Sequence, residues 1–211
     1  MTPKLARVVD PIFLYTLELL ERIARRESVS PQEEQLRLRA LIEQADALFG
    51  AEPEWDAAKY ALVSWIDEVL LDTPWDGQDW WSNNILEVAL FNSRLCNEKF
   101  YLRAAESSAL SRRDALEVYY VCAVLGFRGL YRDPEAARFL IQSHNLPEDL
   151  DTWARQAAMS IRLGQGRPPL SRPGPEIAGA PPAQGKSQVV WPWLAVALLV
   201  AWNVVYFTLF L

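Results

Sequence analysis

Apolar residues recur at three- and four-residue spacing through most of the first 163 positions, and the breaks between runs fall on Pro, Gly and Asp-Pro pairs. Asp10-Pro11 reads as a cap followed by Pro at the first helical position. It opens a helix to about Glu27 whose inner face carries Ile12, Leu14-Tyr15, Leu19 and Ile23. Ser30-Pro31-Gln32-Glu33 has the form of a capping box and opens a second helix that Gly50 ends. Pro53 opens a third, running to about Leu71, and a loop follows at Thr73-Pro74-Trp75-Asp76-Gly77. Further helices are predicted over about 79–92, 97–109, 113–126, 134–145 and 148–163, with Asp133-Pro134 and Leu146-Pro147 marking the last two starts. Alternating runs of β-branched residues do not occur. The expected class is therefore all-α, a bundle of about seven or eight helices.

The pattern changes twice after residue 163. Residues 164–187 are rich in Pro, Gly, Ala and Ser and nearly devoid of large apolar side chains, which predicts a flexible, somewhat stiffened linker. From Val189 to Leu211 the chain then carries no charge, and 188–211 is expected to be a transmembrane helix. As a helix that run reaches about 35 Å, enough for a hydrocarbon core of about 30 Å with some tilt. A buried core helix is the alternative, and it would need cover on every face. Trp191, Trp193 and Tyr206 sit where amphipathic rings prefer the headgroups, and Pro192 falls in the first turn. Asn203 is the one strongly polar side chain in the span. It either bonds another helix within the membrane or satisfies its own backbone.

Charge gives the span a direction. Arg167, Arg172 and Lys186 stand before it against Glu176, so the positive-inside rule puts residues 1–163 in the cytoplasm and the C-terminus on the periplasmic side. Residues 1–163 hold 18 basic and 26 acidic side chains, an excess that disfavours nucleic acid and suits a basic protein partner. Cys96 and Cys122 form no metal or redox spacing, His144 is the lone histidine, and no metal or cofactor is expected.

The third helix holds the residues that invite a function. Trp55, Ala58, Leu62, Trp65, Ile66 and Val69 make one apolar face, and Tyr60, Val63, Leu70 and Leu71 a second, so the helix belongs at the centre of its bundle. Asp67 falls on that second face, and Glu68 about 100° round it. A buried carboxylate needs partners. Asp67 either accepts N–H groups from backbone or from Trp75, Trp80 or Trp81, or pairs with a base such as Arg128. Alternatively Asp67, Glu68, Asp72, Asp76 and Asp79 line an acidic groove for basic residues of a partner. A catalytic role is the weakest fit, since adjacent carboxylates diverge and neither His nor nucleophile stands beside them. The cluster Trp75, Trp80, Trp81 packs beneath the loop or forms a recognition patch.

These stretches have a family look. YALVSWIDEVLLDTPW, Trp81 with ILEVALFN, EKFY and LEVYYVCAVLGFRGLYR resemble the DotU/TssL family of secretion-system inner-membrane proteins. Tyr60, Asp67, Glu68, Thr73, Pro74, Trp75, Trp81, Glu98, Gly126, Phe127 and Gly129 carry the match in order over about 70 residues. It departs before Glu98, where Cys96-Asn97 stand in place of the Gly-Gly of many members.

The resemblance implies two packed helical bundles in the cytoplasm and a place in the membrane complex of a type VI secretion system. The implied partners are the large IcmF/TssM inner-membrane protein, baseplate components and a second copy of the chain. It also implies a non-enzymatic scaffold, with any cell-wall anchoring left to another subunit because the run closes at Leu211. A type IVB DotU subunit that stabilises its IcmF partner is the alternative machine. A membrane-tethered hydrolase using Asp67 or Glu68 is the remote one, since Walker A, GxSxG and HExxH motifs are absent.

Overall fold

The computed structural model describes residues 1–110, 112–164, 196, 198–200 and 202, and among these every regular element is helical. They are α1 (Pro3–Ala24), α2 (Pro31–Phe49), α3 (Pro53–Asp72), α4 (Gln78–Asn83), α5 (Leu86–Phe91), α6 (Cys96–Ser107), α7 (Asp114–Val124), a 3-10 turn (Gly129–Arg132), α8 (Pro134–Ser143) and α9 (Leu150–Gly164). The chain divides into two compact units, Met1–Arg167 and Pro168–Leu211.

Within the first unit α3 is the hub. Twelve of its twenty residues are buried, which places it inside the bundle as its double apolar face requires. It packs on α7 and α6 to one side and on α1, α2, α4 and α5 to the other, so the two groups share it. Phe13 of α1 meets Trp65 at 5.1 Å between ring centroids. On the far side Phe100 stacks on Phe127 at 3.8 Å and meets Tyr119 edge-on, while Tyr101 meets Tyr131 and Trp153 edge-on. Those rings join α6, α7, the 3-10 turn and α9 into one aromatic core.

Several helix limits differ from the local signals, each for a tertiary reason. α1 begins at Pro3 and runs through Pro11, instead of starting at Asp10. Pro11 lies on the exposed face, and the buried stripe Leu5, Val9, Ile12, Phe13, Thr16 and Leu19 continues across it. That packing offsets the one backbone bond the proline removes. α2 starts at Pro31 as the pattern indicates, but the capping box does not form: Ser30 donates its hydroxyl to Gln32 at 3.2 Å and caps no backbone N–H. α9 starts at Leu150, not just after Pro147, because the Asp149 carboxylate accepts the Thr152 N–H at 2.7 Å.

The predicted helix over 79–92 is two helices, α4 and α5, broken at Asn84 and Ile85. A continuous helix would send the Leu86 and Glu87 N–H groups back to Ser82 and Asn83. Both go instead to Asp67, which ends one helix and caps the next.

In the second unit Val196, Leu198, Leu199, Val200 and Trp202 are helical and exposed. The rest of the expected span, Asn203 included, and the expected linker beyond Gly164 lie outside the described residues. Among the described residues no helix is long and apolar enough to cross a membrane.

Candidate functional site

The acids of α3 point to different neighbours. Glu54, in the first turn, accepts the N–H groups of Arg112 and Ala115, each at 3.1 Å, at the start of α7. Three turns on, Asp67 is 1% exposed. Its Oδ1 accepts the Trp81 indole N–H and the Leu86 N–H, both at 2.9 Å, and its Oδ2 accepts the Glu87 N–H at 2.8 Å. Of the alternatives open from the sequence, Asp67 thus takes backbone and indole donors and makes no pair with Arg128. Burial raises its carboxyl to about 7 against the pull of those three donors, with a further push from the Glu87 charge.

Glu68 turns the other way. It accepts the Arg128 N–H at 2.7 Å and the Gly129 N–H at 3.1 Å, and Arg132 reaches it at 2.8 Å. The same guanidinium grips Asp72 with both of its terminal nitrogens. Gly129 is needed here: its φ is +49°, and a Cβ would lie 2.8 Å from the Phe127 ring and 3.0 Å from the Asn97 carbonyl oxygen.

A further buried acid beside Asp67 was not singled out from the sequence. Glu87, in α5, is fully buried. It accepts the Tyr60 hydroxyl at 2.9 Å and the N–H groups of Leu95 and Cys96, each at 3.1 Å, where α6 begins. The signal was its place in ILEVALF, an acid flanked by apolar residues on both sides. Arg132, the cation of this region, gave no signal beyond its position after Tyr131.

The five acids expected in one groove are therefore not brought together. Asp67 is interior and held by three donors, and Glu68 is buried beside Arg132. Asp72, Asp76 and Asp79 are exposed. Glu68 and Asp72 border a cleft of about 480 Å³ with Ile85, Glu87, Arg94 and Arg132. Asp76 borders a different one, of about 260 Å³, with Ile23, Arg26 and Trp75.

The tryptophan cluster resolves toward packing. Trp81 is fully buried, and its ring lies 6.3 Å from Trp75 and 6.4 Å from Trp80 between centroids. The Trp75 indole N–H donates to the Leu70 carbonyl at 3.0 Å, and the Gln78 amide to the Leu71 carbonyl at 2.6 Å. These satisfy carbonyls that the end of α3 leaves open. Thr73 adds its own hydroxyl to the Val69 carbonyl at 2.7 Å, and Pro74 follows on the exposed side. Glu98 sits half-buried in the first turn of α6, while Gly126 holds φ +116° before the buried Phe127.

A family model described as type VI secretion system protein DotU matches residues 4–211. The chain belongs to the DotU family. The resemblance read from Tyr60 to Tyr131 is thereby met over nearly the whole chain, and the family is a component of the type VI secretion system. Among solved structures, the cytoplasmic domain of TssL from Acinetobacter baumannii is similar, with 23% identity and a TM-score of 0.56 over 74% of this chain and 98% of that one. At that identity the likeness is one of fold. No curated protein matches. Within this DotU-family fold, the carboxylates of α3 and α5 bind helix starts and loops to the hub; among the described residues, no group of His, Cys, Asp and Glu could hold a metal ion.

Proposed function

We propose that this DotU-family chain is a non-enzymatic, membrane-anchored subunit of the type VI secretion membrane complex. Segment 188–211 crosses the inner membrane, and residues 1–163 lie on the cytoplasmic side. The observation that carries the reading is the reach of the family match, which runs from residue 4 through 211 and so takes in both the helical part and the uncharged C-terminal run. The excess of Arg and Lys just before that run supports the orientation. The family description names the type VI machine, which favours it over a type IVB one.

In this reading the span contacts helices of an IcmF/TssM-type partner, with Asn203 available for a hydrogen bond in the membrane. The cytoplasmic part meets baseplate components and a second copy of the chain. With Asp67 and Glu68 committed to internal bonds, Asp76 and Asp79 are the two of the five expected acids left for a basic partner, with Asp72 shared with Arg132.

Affinity purification of the full chain from membranes, with mass spectrometry of what accompanies it, tests the proposal. The IcmF/TssM-type protein and baseplate subunits are expected. Their absence, together with normal export of the tube protein in a deletion strain, would overturn it. For the acidic surface, Asp76→Lys with Asp79→Lys should weaken capture of baseplate subunits while leaving the melting curve unchanged. Undiminished capture would remove these two acids from the interface.

A further inference from the structure

The two ends of α9 differ in charge. Its first turn carries Asp151, with Glu148 and Asp149 just before it. From Arg155 onward the sign reverses: Arg155, Arg162, Arg167 and Arg172 follow with no acid before Glu176. That run goes against the acidic excess of residues 1–163.

The buried stripe of α9 is Trp153, Ala157 and Ile161, and the helix packs on α7. At about 100° per residue, Arg155, Met159, Arg162 and Leu163 share the opposite face. All four are exposed, Met159 at 63% and Leu163 at 78%. Apolar side chains set among arginines on one open face are the composition of a helix that lies in a membrane interface.

The loop between α6 and α7 extends this face. Arg113 donates to the Ser160 carbonyl, and its side chain fills the space beside Gly164, where a Cβ would lie 2.6 Å from the arginine Cδ. Arg112 is exposed next to it. The neighbouring acids are already engaged: Glu54 with the Arg112 and Ala115 N–H groups, Asp114 with the Thr2 N–H, and Glu117 with the N-terminal amine. Arg155 donates to the Thr152 hydroxyl at 2.9 Å, and Arg162 makes no ion pair among the described residues.

We propose that this face of α9, with Arg112 and Arg113 beside it, rests on the anionic headgroups of the membrane that the chain's own C-terminal run crosses. The inference rests on the reading of 188–211 as a span. The chain leaves α9 toward that run with residues 165–187 between them, so the face meets lipid at high effective concentration. Each guanidinium answers the negative surface potential of the leaflet and raises occupancy about fivefold. Met159 and Leu163 enter the boundary between headgroups and acyl chains. An acidic protein surface would meet the same charges, but the bilayer is what the chain itself brings to this end of the helix. Docked in this way, the helical part holds a fixed attitude to the membrane.

Met1 and Met159 are the two methionines of the chain, so carbon-13 methyl labelling reads this face through one signal, which Met159→Leu assigns. The full chain is placed in nanodiscs of phosphatidylcholine alone or of phosphatidylcholine and phosphatidylglycerol in equal parts, each with a trace of lipid bearing a nitroxide at its headgroup. In the anionic discs the Met159 methyl signal should broaden away. In neutral discs, or in the anionic discs at high salt, it should return. Arg155→Gln with Arg162→Gln should lower occupancy about 25-fold and restore the signal as well. The comparison of lipids uses the unaltered chain, so the test does not depend on the folding of a variant. Equal broadening in both lipids would mean that the tether alone brings α9 near the bilayer. Broadening in neither would place the face away from it, and broadening that survives the double substitution would remove the arginines from the contact. Each of these overturns the docking and leaves the span standing. Release of the chain from the discs by alkaline carbonate would overturn the span reading, and the docking with it.

Discussion

On one side of α3, Asp67 is held by three N–H donors at the junction of α4 and α5; on the other, Glu68 is held by two N–H donors and the Arg132 guanidinium. The two carboxylates are neighbours in sequence and about 100° apart round one helix. Their difference lies in access to water. Arg132 is 51% exposed, so it can neutralise Glu68 and Asp72 from the rim while keeping much of its own hydration. No cation could do that at Asp67 without being buried with it. There the start of a short helix supplies the positive ends of N–H dipoles, already part of the fold, and the charge carries a raised proton affinity as the consequence. The rim pair is an electrostatic convenience. The interior site determines where a helix begins.

The sharpest way to break that comparison is to remove each side in turn. Asp67→Ala leaves the Trp81, Leu86 and Glu87 N–H groups buried without an acceptor, and the expected loss is about 3 kcal/mol or more. Denaturant unfolding of the full chain should show the midpoint falling, with α5 losing amide protection before α7 does. A loss below about 1 kcal/mol would mean that water replaces the carboxylate and that the site is not a structural keystone.

This is also where the reach of local sequence signals ends. The centrality of α3 was legible because Tyr60, Val63 and Leu70 are apolar opposite Trp55, Leu62 and Trp65, a pattern only an interior helix tolerates. The need for Asp67 to find donors was legible too, down to Trp81 as a candidate. The split of 79–92 into α4 and α5 was not, since its cause is an acid nineteen and twenty residues away in sequence that takes the N–H groups of Leu86 and Glu87. Local propensity favours one helix there, and a tertiary acceptor overrides it. The same holds at Asp10-Pro11, whose cap-like form is overruled by the packing of Leu5 and Val9. The spread of the five acids was hidden for a related reason: charge and sequence spacing draw Asp67, Glu68, Asp72, Asp76 and Asp79 together but say nothing of which are internally bonded. Arg132, sixty residues beyond Asp72, carries no local mark of its role.

Removing the rim cation should cost less. Arg132→Met keeps the aliphatic stem, and Glu68 retains the Arg128 and Gly129 N–H groups. The expected destabilisation is about 1 kcal/mol, since Arg132 and Asp72 are half-exposed and screened and the buried Glu68 keeps its two N–H donors, and added salt should shrink the difference from the unaltered chain. A thermal melt of both proteins at low and high salt checks it. If Arg132→Met cost as much as Asp67→Ala, access to water would not be what separates the two sites.

The finest cut uses two tyrosines in matched settings. Tyr60 and Tyr119 are both buried and both sit edge-on to a phenylalanine, at 4.9 Å from Phe91 and 4.7 Å from Phe100. The Tyr60 hydroxyl donates to Glu87, while that of Tyr119 has no partner among the described residues. Replacing each by phenylalanine removes one oxygen and leaves the ring contact. Tyr60→Phe takes a donor from a buried carboxylate that lacks a cation, and should cost about 1.5 kcal/mol. Tyr119→Phe removes a hydroxyl whose burial is uncompensated, and stability should be unchanged or slightly raised. Paired unfolding curves decide it. If both substitutions cost the same, ring packing and not donor supply accounts for the Tyr60 position, and the buried acids of α3 and α5 depend less on their hydrogen bonds than their geometry indicates.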